Sequence, residues 1–240
     1  MMGSVASIET FGTVDGPGIR TVVFLNECHL RCIYCHNPEM WQIQIKDITP
    51  EHLAERILRN KNYFGNNGGV TFSGGEPLLQ SKFLIETCKI LKKENISIAL
   101  DTAGVGIGNY EEILKYIDLI IFDVKHTDPT SYKLLTGYPI EESLKFIETA
   151  NKLNKEFWIR QVIIPGMMDN DIYLNSLKEF LKRINNIKKI DFIPYHKLGS
   201  EKYIKLGINN PYKDMPEMNK QAYDELYLKF INLYKENIIN

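Results

Sequence analysis

The chain has 240 residues, enough for one domain of α/β-barrel size or at most two small ones. Its 44% hydrophobic and 25% charged residues are those of an ordinary soluble globular protein, and a formal net charge of −1 gives no global attraction to nucleic acid or an anionic membrane. No apolar run reaches the roughly 20 residues of a membrane-spanning helix; the apolar stretch 117–124 is short and holds Asp118 and Asp123.

Short β-rich runs alternate with amphipathic helical stretches, without an internal repeat or a low-complexity linker. Residues 5–11 and 20–25 read as strands, and a cysteine-rich loop follows the second. Thr49-Pro50-Glu51 is a helix start: a capping residue, proline at the first helical position, then an acid. Leu53, Ile57 and Leu58 give that helix an apolar face. Residues 69–73 form the next strand, which ends in Gly74-Gly75-Glu76-Pro77. A helix is predicted over 78–93 and a strand over 96–100, ending in Asp101-Thr102. A helix over 109–116 precedes a buried strand over 119–124. Helices over 141–153, 171–185 and 215–235 alternate with strands over 157–164 and 190–194.

Strands alternating with helices imply βαβ units and a parallel sheet. With the N-terminal run left aside, six strands predict an α/β fold, a partial (β/α)6 TIM-like barrel forming a single domain over 1–240. Ligands of such sheets bind at the carboxyl ends of the strands. The cysteine loop, Gly74-Gly75-Glu76, Asp101-Thr102, Asp123-Val124-Lys125, Arg160 and Tyr195-His196 are all placed there.

Cys28, Cys32 and Cys35 are spaced C-x3-C-x2-C. Soft thiolates in one tight loop favour an iron–sulfur cluster, zinc or Cu(I). A cubane held by three cysteines keeps one iron open for chemistry. Alternatively, His29 or His36 could complete a closed tetrahedral zinc site. Disulfides fit poorly, because the count is odd and nothing at the N-terminus resembles a signal peptide. Cys88, inside a helical pattern, reads as a buried core thiol.

The cluster spacing with Tyr34 before its last cysteine resembles the radical S-adenosylmethionine (SAM) superfamily. More closely, Gly12-Thr13-Val14-Asp15-Gly16-Pro17-Gly18-Ile19-Arg20, then the cysteines and His36-Asn37, is similar to the glycyl-radical-enzyme activating enzymes. The resemblance runs from about residue 6 to about residue 200. It implies the same partial barrel, a 4Fe–4S cluster on Cys28, Cys32 and Cys35, and SAM as the second cofactor. Residues matching the family's SAM contacts are Tyr34, His36, Gly74, Gly75, Glu76, Asp101, Thr102, Asp123, Val124, Lys125, Arg160 and His196. Asp101, Asp123 and Thr102 also match residues that hold a monovalent cation, Na+ or K+. Ile121 stands where a relative uses the backbone carbonyl of a methionine, so the side-chain change need not disturb that site. Asp15 is expected to meet the protein substrate. No catalytic side chain is needed beyond the cluster and SAM.

Each motif also has a plainer reading. Gly74-Gly75-Glu76 could be a βα turn with a capping glutamate, Asp15 an Asx turn, His196 a structural histidine and Arg160 a structural ion pair. Arg20 reads as a solvated or packing residue. Asp123 and Lys125 flank Val124 on one strand, so their side chains point the same way, and buried charges are costly unless paired.

Some family members carry extra cysteines in an inserted segment after the first motif; residues 37–69 contain none. That favours a formate acetyltransferase as the glycyl radical enzyme acted upon. Flavodoxin or ferredoxin is the implied electron donor and the cytoplasm the implied compartment. No nucleic acid or membrane partner is expected. The alternatives are another glycyl radical enzyme as substrate, or a non-catalytic zinc or iron–sulfur module.

Overall fold

A computed structural model describes residues 1–42, 45 and 47–235. Seven strands form one sheet in chain order: β1 (Val5–Gly12), β2 (Arg20–Leu25), β3 (Gly69–Gly74), β4 (Ser97–Thr102), β5 (Leu119–Asp123), β6 (Glu156–Ile163) and β7 (Ile187–Pro194). β2 to β7 are parallel, which is the expected set of six. β1 joins the edge antiparallel to β2, through a hairpin too short for a parallel crossover.

The helices are α1 (Pro50–Leu58), α2 (Ser81–Lys93), α3 (Tyr110–Leu114), α4 (Pro129–Thr136), α5 (Glu141–Lys152), α6 (Asp171–Leu181), α7 (Ser200–Leu206) and α8 (Lys220–Lys235). Thr49 caps α1 as expected, accepting a hydrogen bond from the His52 N–H at 3.2 Å. The predicted helix over 78–93 begins as a short 3-10 turn, Pro77–Gln80, before α2. α4 and α7 were not anticipated. Yet α4 has a start signal in Asp128-Pro129, with Asp128 accepting from the Ser131 N–H at 2.8 Å, and a stop in Gly137. Among the described residues no helix is long and apolar enough to cross a membrane.

Strand alternation sorts side chains onto two faces. Val23, Val70, Phe72, Ile98, Leu100, Ile120, Phe122, Phe157 and Ile159 face the helices in one continuous core. Each such fully buried side chain contributes roughly 1.5–3 kcal/mol. Ala99, Leu119 and Ile121, with Trp158, form a smaller apolar cluster on the opposite face. Above it, in the same alternation, stand Asp101, Asp123 and Arg160.

The sheet is curled. In a flat sheet β6 would lie about 19 Å from β2. Arg160 on β6 nevertheless donates to the Val14 carbonyl, at 3.1 Å, in the loop that leads into β2. Arg20, expected to be solvated or packing, is fully buried below this point and spends its donors on hydrogen bonds.

Candidate active site at the carboxyl ends of the strands

A cavity of about 280 Å³ opens on the concave face. Its lining includes Asp15, Cys28, Cys32, Tyr34, Cys35, His36, Gly74, Gly75, Glu76, Asp101, Thr102, Asp123, Lys125 and Arg160. Residues as far apart in the chain as Asp15 and Arg160 thus meet, because each ends or follows a parallel strand, or lies in the hairpin loop folded across the opening. Two expected residues are absent from the lining. The Val124 side chain lies in the helix-side core, and its N–H donates to the Arg160 carbonyl at 2.9 Å. His196 stands behind His36, the rings stacked with centroids 4.1 Å apart, and lines a neighbouring cleft.

The cysteine loop has little secondary structure and is held by its surroundings. The N–H groups of Arg31 and Ile33 donate to the Thr136 and Leu135 carbonyls at the end of α4, at 2.7 and 2.9 Å. The Tyr203 hydroxyl donates to the Cys35 carbonyl at 3.0 Å. Glu27, just before Cys28, has φ +80, a conformation costing of order 1–3 kcal/mol for a non-glycine residue. Two bonds hold it there: its N–H donates to the Met40 carbonyl, and its carbonyl accepts from the Glu76 N–H at 2.8 Å. The cysteine loop and the glycine-glycine-glutamate turn are therefore one assembly.

All three cysteines are free thiols. Burial pushes Cys28 to about 12, with Glu76 adding to the rise. Burial also pushes Cys32 to about 12, against the pull of Lys125. Cys35 is raised by burial too, and its sulfur accepts from the Asn37 N–H at 3.4 Å. Such thiols ionise only when cationic metal offsets the buried negative charge. Among the described residues no three His, Cys, Asp or Glu side chains converge as one metal ion requires. A zinc site needs that convergence. A cubane binds its thiolates at separate irons, and Cys28, Cys32 and Cys35 all line this one cavity, so the residues present fit the cluster.

At the end of β3, Gly74 has φ +114, and a Cβ there would lie 2.3 Å from the Leu25 nitrogen. Only glycine fits. The Glu76 carboxylate is spent on structure: it accepts from Thr102 Oγ1 at 2.5 Å, the Ala103 N–H at 3.0 Å and the Leu78 N–H at 3.2 Å. Burial still raises Glu76 to about 7 against these bonds. The capping role and a place in the cavity wall therefore coexist.

Beyond it lies a charged cluster. Asp123 and Lys125 pair at 2.8 Å, as their shared strand face predicted. Burial pulls Lys125 down, but Asp123, with Tyr34 and Cys32, more than offsets this and holds it well above its ordinary value. Arg160 Nη1 meets Asp101 Oδ2 at 3.1 Å, and Ser73 Oγ donates to the same oxygen at 2.7 Å. Arg160 Nη2 reaches Asp15 Oδ1 at 3.4 Å. Asp101 raises Arg160 further, while burial raises Asp101 against the opposing pull of Arg160. Ser73 was missed; its alternation with Thr71 on β3 was the available signal. Asn37, also in the lining, stood in the motif after the cysteines but was not singled out, and Trp41 carried no signal.

This arrangement can hold a cluster at one end of the cavity and a zwitterionic ligand beside paired carboxylates and cations at the other. The pattern of the Radical SAM superfamily matches residues 22–174. Over 95% of its length the chain is 46% identical to the pyruvate formate-lyase-activating enzyme of Clostridium pasteurianum, covering 98% of that protein. A crystal structure of a domain of pyruvate-formate lyase-activating enzyme from Bacteroides vulgatus superposes on 70% of this chain and 95% of its own, with TM-score 0.56 and 24% identity. A radical SAM methyltransferase from Sphaerobacter thermophilus shares the fold over 97% of this chain and 75% of its own, with TM-score 0.65 and 14% identity. The chain belongs to the radical SAM superfamily and, within it, to the family of the pyruvate formate-lyase-activating enzymes.

Proposed function

We propose that this chain activates a formate acetyltransferase, pyruvate formate-lyase, by generating a glycyl radical on it under anaerobic conditions. One observation carries the reading: free thiols and paired charges share one cavity in a chain with 46% identity to such an activating enzyme across 95% of its length. The continuous core from Val23 to Phe230 supports a single domain.

Cys28, Cys32 and Cys35 would hold a 4Fe–4S cluster, leaving one iron open for SAM. With SAM, that cluster would supply the one-electron reduction and the hydrogen-atom abstraction from a glycine α-carbon that the activation requires. The chain's residues bind, orient and exclude water. Gly74 and Gly75 let the backbone approach the amino group of SAM. Asp101, Thr102 and Asp123 would take its carboxylate side, with a monovalent cation, Na+ or K+, while Lys125 and Arg160 offset the carboxylates. Tyr34 and His36 would flank the cluster, Val124 would take part through its backbone, and His196 would act through His36. Asp15 would meet the glycine-bearing segment at the mouth of the cavity. Flavodoxin or ferredoxin is the electron donor, and the compartment is the cytoplasm.

The test is electron paramagnetic resonance of purified formate acetyltransferase after anaerobic incubation with this protein, SAM and a reductant. A glycyl radical signal is expected. SAM cleavage without that signal would point to another glycyl radical enzyme as the substrate.

A further inference from the structure

Among the described residues Arg20 is the largest fully buried side chain. Its acceptors are a hydroxyl and backbone carbonyls: Thr71 Oγ1 at 2.7 Å from Nε, the Pro17 carbonyl at 3.1 Å from Nη1, and the Val70 and Ser97 carbonyls at 2.6 and 3.2 Å from Nη2. Burying a guanidinium is expensive, and packing alone is met as well by an apolar residue. The cation does something an apolar side chain cannot: it binds the hairpin loop and the floor of the parallel sheet at once.

It also sets a hydroxyl. Thr71 Oγ1 accepts from Arg20, so its own proton is directed elsewhere. It points to the Asp15 carbonyl, 2.5 Å away. The same loop is fitted into place at Gly18, whose φ is +71 and where a Cβ would lie 2.5 Å from the Gly68 nitrogen. The Asp15 backbone is thus fixed from the Arg20 side, and its carboxylate faces Arg160 across the cavity. Neither Arg20 nor Thr71 lines that cavity.

We propose that Arg20 and Thr71 are positioning residues of the protein-substrate site, holding the Asp15 loop where the glycine-bearing segment enters. This rests on the reading of Asp15 given above. It explains why an arginine closes the Asp15-Gly16-Pro17-Gly18-Ile19-Arg20 stretch although its side chain is remote from the chemistry. A misplacement of about 1 Å at such a loop can cost roughly a hundredfold in rate.

Loss of a buried guanidinium can prevent folding, so the test uses Thr71→Val and Thr71→Ser, with Asp15→Asn in the same series. Iron content, partner-free SAM cleavage and glycyl radical formed per 5′-deoxyadenosine on formate acetyltransferase are measured anaerobically. In Thr71→Val, iron content and partner-free cleavage should stay within about twofold, while radical per 5′-deoxyadenosine falls tenfold or more, on the order of that misplacement cost. Thr71→Ser should restore the ratio, which a merely volume-filling role would not do. Wild-type coupling in Thr71→Val alongside loss in Asp15→Asn would overturn the proposal and leave Asp15 in its role. Equal loss in Thr71→Val and Thr71→Ser would also overturn it. Wild-type coupling in Asp15→Asn would instead remove Asp15 from the substrate site, and the proposal with it.

Discussion

His196 lies against His36, the two rings stacked at 4.1 Å and 19°, and its carbonyl pairs with His36 Nε2 at 2.8 Å. The residue is therefore a backing plate for His36, not a wall of the cavity. Asp123 differs, because it lines the cavity and carries the counter-charge of Lys125.

The two substitutions should separate accordingly. Asp123→Ala leaves a buried ammonium without its partner and takes a carboxylate from the cavity wall; one lost charge-assisted contact to the ligand, about 1.5–3 kcal/mol, corresponds to roughly 10–100-fold in SAM affinity. His196→Ala keeps the backbone bond to His36 and should weaken SAM binding less. Both should retain iron, since neither is a cysteine of the cluster loop. Anaerobic titration with SAM decides this; equal loss in both variants would return His196 to the cavity wall.

Cysteine replacement gives the sharpest contrast. Cys28→Ala, Cys32→Ala and Cys35→Ala should each lose the cluster and SAM cleavage. Cys88 is fully buried in α2, away from the cavity. Cys88→Ala should keep its iron and lose only about 1–2 kcal/mol of stability to the small void left behind. Iron analysis and denaturant unfolding read both effects. A full complement of iron in Cys32→Ala would contradict the assignment.

Much of this site was legible because strand alternation is a strict rule: Asp123 and Arg160 pair across β5 and β6, and Asp101 on β4 stands two residues lower on the same face, so reading the strands placed them together. The edge strand β1 was visible but its direction was not, since direction depends on the hairpin after it. Arg20 was left between solvated and packing, and burial decides for the second, because nothing in a sequence distinguishes an exposed arginine from one satisfied by carbonyls 47–77 residues away. His196 follows a strand end, as site residues do, but a ring from the cysteine loop came between it and the cavity. α4 was overlooked although its Asp-Pro start and glycine stop were present.

The pH dependence of the cluster-free protein tests the Glu76 environment. Burial raises Glu76 to about 7 from its ordinary value near 4.5. The folded state then binds more protons than the unfolded state between these values, so stability falls as pH rises through that window. Glu76 alone accounts for up to about 3 kcal/mol of this slope. Glu76→Gln should flatten it, while losing about 1–3 kcal/mol overall because one amide oxygen cannot serve both backbone N–H groups. Urea midpoints at pH 5 and pH 7.5 check the difference; an unchanged slope in the variant would assign it to other carboxyls.

The central claim is that a hydrogen atom passes from a glycine of the partner protein to the 5′-deoxyadenosyl group in this cavity. The most direct measurement is mass spectrometry of 5′-deoxyadenosine after reaction with formate acetyltransferase made from α-deuterated glycine. The account predicts deuterium in the 5′-deoxyadenosine, in step with the glycyl radical, and none when Asp15→Asn abolishes the radical. Cleavage of SAM with unlabelled 5′-deoxyadenosine from the wild-type protein would contradict it.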